Sequence, residues 1–201
     1  MILLISILAG LVAGLLLARL RHRPWVAPPL RKPWLVIIAF LPQVFIAYLP
    51  ATRFKVSNGL ASAGLIISLI LLLAFCWFNR RLSGVWMLAM GLFLNLAVIT
   101  LNGGFMPISP QTASRLVPSE TLAALGNGTR FGYKDILLQP TQTHLGWLSD
   151  CLLLPTWFPY QVAFSFGDLL IAAGAFWLLA TQGRSLMFQK KSSQRIMDDN
   201  C

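Results

Sequence analysis

The sequence predicts an all-α membrane protein, with five transmembrane helices and a long extracytoplasmic loop between helices 4 and 5. Three observations predict it. Apolar residues fill 57% of the 201 positions and charged residues only 11%, where a soluble domain carries about a quarter charged; mean hydropathy is +0.71. Several apolar runs are long enough to cross a bilayer. The basic residues cluster beside those runs, which is where they set topology. Disordered, fibrous and ordinary water-soluble classes are excluded. The net charge of +10 would suggest nucleic acid in a soluble protein. Here it reads as a topology signal, and no nucleic-acid partner is expected.

The first run, 2–18, carries no charge and lies near the lower length limit for a span. Nothing basic precedes it, and Arg19, Arg21 and Arg23 follow it, the reverse of a secretory leader. It is therefore expected to remain as an uncleaved span with its N-terminus outside. Gly10 and Gly14 form a G-x-x-x-G pair suited to close packing within the subunit. Pro33 opens the second span, 33–50, where its missing N–H costs nothing. Pro42 should bend that helix. The third and fourth spans, 59–78 and 84–101, flank the basic turn Asn79-Arg80-Arg81-Leu82-Ser83. The fifth span covers 164–180, so 1–182 form one integral membrane domain, followed by a basic cytoplasmic tail at 183–201.

Counting cations fixes the orientation. One side receives Arg19, Arg21, Arg23, Arg31, Lys32, Arg80, Arg81, Arg184, Lys190, Lys191 and Arg195; the other receives only Arg53, Lys55, Arg115, Arg130 and Lys134. The richer side should face the cytoplasm, placing the N-terminus outside and the C-terminus inside. The outer loop, 102–163, is too rich in Leu, Trp and Phe for disorder. Leu152-Leu153-Leu154 and Trp157-Phe158 are expected at the membrane interface. Around 129–139 the pattern reads as loop with room for one short strand or helix.

No P-loop, dinucleotide-binding glycine pattern, H-E-x-x-H or G-x-S-x-G occurs. His22 and His144 should lie on opposite faces, and Cys76, Cys151 and Cys201 lack ligand spacing. No metal, disulfide or cofactor is expected. The informative polar residues gather near the outer face: Asn95 inside span four, Asn102-Gly103-Gly104 at its end, Asp150 in the loop and Asp168 at the start of span five. Ionisable groups in spans are costly and tend to mark function. Each also has a structural explanation. Ser165 and Asp168 have capping-box spacing, Asn102-Gly103-Gly104 reads as a helix stop, Asn95 can bond to a neighbouring helix, and Asp150 can be a solvated loop residue.

The stretch Leu94-Asn95-Leu96 through Asn102-Gly103-Gly104-Phe105-Met106-Pro107 resembles a bacterial multi-pass membrane family, as do Leu148-Ser149-Asp150, Pro155 and Phe164-Ser165-Phe166-Gly167-Asp168. That family is catalogued as domain of unknown function 5317. The likeness spans nearly the whole chain and implies a bacterial inner-membrane protein with no assigned activity. The last third is also similar to the end of lipoprotein signal peptidase, an aspartic membrane protease. By that resemblance Asp150 and Asp168 would be a catalytic dyad, although Ser165 stands where that family has Asn and Gly167 where it has Ala.

The leading reading is a non-catalytic, uncharacterised inner-membrane protein with Asn95, Asn102, Gly103, Gly104, Met106 and Ser165 as candidate binding residues. Its partners would be membrane lipid and another membrane protein or a lipid-linked substrate. The alternative is an aspartic membrane hydrolase with Asp150 and Asp168 as catalytic candidates. A small transporter is the third reading.

Overall fold

Long apolar runs bounded by turn residues can bury their backbone only as helices, and the computed structural model is mostly helical. It describes residues 2–22, 24–47 (backbone alone at 46 and 47), 56–158 and 160–181. The tail at 183–201, Arg23, Arg53, Lys55 and the outer end of the second expected span lie outside the described residues. Four long helices come first: α1 (Ile2–Leu20), α2 (Trp34–Ala47), α3 (Asn58–Phe78) and α4 (Val85–Leu101). The loop after α4 holds β1 (Met106–Ile108), the short helices α5 (Pro110–Ala113) and α6 (Ser119–Ala124), β2 (Arg130–Phe131) and β3 (Asp135–Leu137). It continues through β4 (Leu152–Leu153) and β5 (Ala163–Phe164) into the last helix, α7 (Phe166–Ala180). α1 and α3 are long and apolar enough to cross a membrane, while α2, α4 and α7 are shorter apolar helices.

The long helices pack as a row in the order α2, α3, α4, α7, α1. Glycines set the closest contacts. A Cβ on Gly10 would stand 2.8 Å from the Phe176 carbonyl oxygen, so the G-x-x-x-G face of α1 lies on α7. A Cβ on Gly174 would stand 2.7 Å from the Gly84 carbonyl oxygen, bringing α4 and α7 together antiparallel. At the α2–α3 contact, Pro42 cannot donate to the preceding turn, which loosens the carbonyls there. The carbonyl left without its helical donor is that of Ile38; one residue on, the Ser68 hydroxyl of α3 donates to the Ala39 carbonyl and accepts from Gln43 Nε2 at 2.7 Å, tying α2 to α3 beside the proline.

Two asparagines end helices by the same device. Asn79 follows α3, accepting from the Arg31 backbone N–H (2.7 Å) and donating to the Arg31 carbonyl (2.9 Å). Asn102 follows α4 and does the same with His144, at 2.9 Å in both directions. Each thus pins a loop to the end of a helix. Beyond Asn102 the backbone turns through Gly103 and Gly104, both at positive φ, so the expected helix stop is present.

The loop is more ordered than its sequence pattern implies. β3 pairs parallel with β1 and antiparallel with β2, so the 129–139 stretch supplies two strands where at most one was expected. β4 and β5 form a hairpin with Leu152 opposite Phe164. Strands of two or three residues carry too few alternations for periodicity to reveal them. Ile108, Ala113 and Leu137 give this region its own small core, against which Leu116, Leu122, Leu125 and Phe131 pack.

Candidate functional site

The site grows from the start of α7. Ser165 and Asp168 form a complete capping box: Ser165 Oγ accepts from the Asp168 N–H at 3.1 Å, and Asp168 Oδ2 accepts from the Ser165 N–H at 3.3 Å. The tight α4–α7 contact brings Asn95 against this cap. Its Nδ2 donates to Asp168 Oδ1 at 2.8 Å, and its Oδ1 accepts from the Ser165 hydroxyl at 2.9 Å. Asn95 and Ser165 are buried, so these bonds satisfy groups that could not otherwise be satisfied there.

The loop reaches the same point through Lys134, on the turn between β2 and β3. Its Nζ lies 2.8 Å from Asp150 Oδ2, 3.4 Å from Asp168 Oδ2 and 4.0 Å from Asp135 Oδ1. Backbone bonds hold these residues in register: Met106 N–H donates to the Lys134 carbonyl at 2.8 Å, and Asp150 N–H to the Pro107 carbonyl at 3.2 Å. Asp150 is only 1% exposed, which overturns its reading as a solvated loop residue. Its neutralising partner is Lys134, which is how a charge persists in an interior.

The electrostatics follow from the crowding of like charges. Burial pushes the Asp135 carboxyl well above the usual carboxylate range, with Lys134 pulling against it and Asp150 adding to it. Burial likewise raises Asp150, opposed by Lys134. For Lys134, burial alone would favour the neutral amine, but Asp150, Asp135 and Asp168 outweigh it and hold the ammonium well above its ordinary range. Asp150 and Asp135 thus face the same ammonium, at 2.8 and 4.0 Å.

Of the residues singled out from sequence, Asn95, Asp150, Ser165 and Asp168 converge here. Asn102, Gly103 and Gly104 do not: Asn102 fastens the end of α4 to the loop at His144, and Gly104 lies against Ser62 of α3. Met106 contributes its backbone, while its side chain is buried in the helix core. Lys134 and Asp135 escaped the sequence reading, where Lys134 counted only as an outer cation. A signal did exist: of six acidic residues in the chain, three meet on this one lysine, and Lys134-Asp135 is an adjacent opposite-charge pair. Among the described residues, no group of three His, Cys, Asp or Glu is arranged to hold a metal ion. The cation between these carboxylates is the protein's own ammonium.

Comparison with known proteins adds a family and little else. The model of a family described as a family of unknown function (DUF5317) matches residues 28–180. No curated protein and no solved structure matches the chain.

Proposed function

We propose, for a chain that belongs to the DUF5317 family of unknown function, that it is a multi-pass protein of the bacterial cytoplasmic membrane. In this reading its outer loop is latched over the helix row and offers a non-catalytic binding face to a membrane partner. The observation that carries it is the bridge formed by Lys134 between Asp150 of the loop and Asp168 of α7. It joins loop and bundle through charge where a free loop would need no such bond.

Five spans, with the N-terminus outside and the C-terminus inside, are supported by the alternation of the helices and by their exposed apolar faces, Leu4, Leu8, Ile37, Ile67, Phe93 and Trp177 among them. At the cation-rich end, Lys32 stacks on Phe78 and Arg80 on Trp77, as expected of cations at a headgroup level. α7 begins level with Asn95, roughly 9 Å short of the outer end of α4 at 1.5 Å per residue. The charge-free stretch 151–167, with its β4–β5 hairpin, fills the difference.

The hydrolase alternative is less well supported. An aspartic dyad needs two carboxyl groups free to share a proton over a water, whereas Asp150 and Asp168 both hold the Lys134 ammonium and Asp150 is buried. The test is twofold. Reporter fusions should place the N-terminus outside and residue 181 inside. Membranes containing the protein should leave lipopeptides intact, and cleavage abolished by both Asp150→Asn and Asp168→Asn would establish the hydrolase instead.

A further inference from the structure

The sequence carries no acidic residue before Glu120, so the cations of its first half stand in a stretch without carboxylates. Four of them, Arg31, Lys32, Arg80 and Arg81, belong to two loops that the fold joins. Asn79, 48 positions from Arg31, makes the joint. Buried at the end of α3, it accepts from the Arg31 N–H at 2.7 Å and donates to the Arg31 carbonyl at 2.9 Å. Its Nδ2 also donates to the Phe75 carbonyl at 2.8 Å, which fixes the amide to α3. Lys32 follows in left-handed backbone, φ 53, and its carbonyl accepts from the Leu35 N–H as α2 begins. A lysine keeps that strained conformation only where its surroundings impose it. The outcome is a set of exposed cations on a fixed frame. Lys32 Nζ lies 4.0 Å from the centre of the Phe78 ring, and the Arg80 guanidinium 4.4 Å from that of Trp77.

An apolar track starts at the same place. Ile67, Ile70 and Trp77 share one face of α3, and each is more than half exposed. Ile67 to Trp77 is about 15 Å of helix at 1.5 Å per residue, half of the roughly 30 Å hydrocarbon thickness of a bilayer. Cations at the head and an apolar stripe one leaflet deep match the two parts of a phospholipid; a soluble anion would need only the first. A guanidinium stacked by its face keeps its N–H edge for a phosphate oxygen, and an ammonium adds a point charge. We propose that the Arg31-Lys32 and Arg80-Arg81 loops, joined through Asn79, form a site for the phosphate of an anionic phospholipid in the cytoplasmic leaflet, with an acyl chain along Ile70 and Ile67. The site rests on the membrane reading above and gives it a lipid partner at the end of the helix row away from Lys134.

The full chain reconstituted in phosphatidylcholine vesicles and probed with spin-labelled lipids tests this. Flotation comes first: protein that does not rise with the vesicles overturns the membrane reading and this site with it. In floated protein, the motionally restricted label should show phosphatidylglycerol preferred several-fold over phosphatidylcholine. Lys32→Gln with Arg80→Gln should bring the two lipids close to equal. Arg19→Gln with Arg21→Gln, an equal loss of charge at the end of α1, should keep the preference. Asn79→Ala, which unclamps Arg31 and leaves the net charge untouched, should lower it, so the site is tested even if the charge variants insert poorly. Equal affinity for the two lipids in floated wild type overturns the site alone. So does an equal fall in both double variants, an undiminished preference in Asn79→Ala, or displacement of the labelled lipid by inorganic phosphate, which would make it a site for a soluble anion.

Discussion

Gly91 of α4 and Gly167 of α7 meet backbone to backbone: a Cβ on Gly167 would stand 2.9 Å from the Gly91 carbonyl oxygen and would overlap Asn95 Oδ1 outright. Gly84 and Gly174 repeat the contact one heptad away on each helix. The polar cluster depends on this approach, because Asn95 reaches Ser165 and Asp168 only when the two helices nearly touch.

Gly167→Ala should therefore cost more than a methyl group ordinarily does. Overpacking a close contact costs about 1–3 kcal/mol, and Asn95 would also have to leave its two partners. Gly59→Ala is the control: a Cβ there meets nothing within 4 Å, and alanine is the better helix former by about 0.5–1 kcal/mol. Thermal unfolding in detergent should show Gly167→Ala lowered and Gly59→Ala unchanged or raised. Equal midpoints would mean that the α4–α7 contact is looser than described.

Lys134→Met should release the outer loop. It removes the ammonium that three carboxyl groups share, and breaking a buried ion pair from one side costs on the order of 3 kcal/mol. Solvent at the partly exposed lysine keeps this at the lower end of the range. Limited proteolysis of the 102–163 loop should accelerate several-fold while the helices stay resistant. Adding Asp150→Asn and Asp168→Asn to Lys134→Met should restore part of the protection, since no carboxylate is then left stranded at either position. A loop equally resistant in Lys134→Met would show that the small β1–β3–β2 core, not the ion cluster, holds it down.

How much of this was legible in sequence depends on the range of each signal. The apolar runs gave the long helices to within a few residues, because hydrophobic length needs no partner to be read. Ser165 and Asp168 were legible as a cap for the same local reason. Asn95 could be placed near the outer end, but its partners could not be named. They lie some seventy positions away and are chosen by the meeting of Gly91 and Gly167. Lys134 was missed as a site residue because it lies on a two-residue-strand hairpin that carries no period, and two of its three acidic neighbours, Asp150 and Asp168, come from distant parts of the chain.

Acid should strengthen loop docking and alkali should weaken it. Asp135 and Asp150 bind a proton more tightly in the folded loop than in an unfolded chain. Groups raised in this way add stability that is fully present below the usual carboxylate range, near pH 4. It is lost as pH climbs through their raised folded values. Lys134 opposes no part of this, because its ammonium is held well above the ordinary lysine range and stays charged throughout. Hydrogen exchange at the Met106 and Asp150 amides should therefore show an opening equilibrium that grows with pH beyond the chemical exchange rate. The extra pH dependence should vanish in Asp135→Asn. An opening equilibrium flat in pH would contradict it.

Asn79 and Asn102 offer a matched pair of local tests, because each clamps a different loop at a different end of the helix row. Each amide nitrogen donates to two carbonyls: Arg31 and Phe75 for Asn79, His144 and Val98 for Asn102. Aspartate keeps the shape but turns that nitrogen into an acceptor facing both carbonyl oxygens. Asn→Asp should thus be worse than Asn→Ala at either position, by more than the roughly 1 kcal/mol that one hydrogen bond contributes. The damage should also stay local. Asn102→Asp should expose the loop around His144 to proteases while labelling at Arg31→Cys is unchanged, and Asn79→Asp should do the reverse. If either variant loosened both ends together, the two clamps would be parts of one cooperative unit, and the helix row would unfold as a whole before either loop detached.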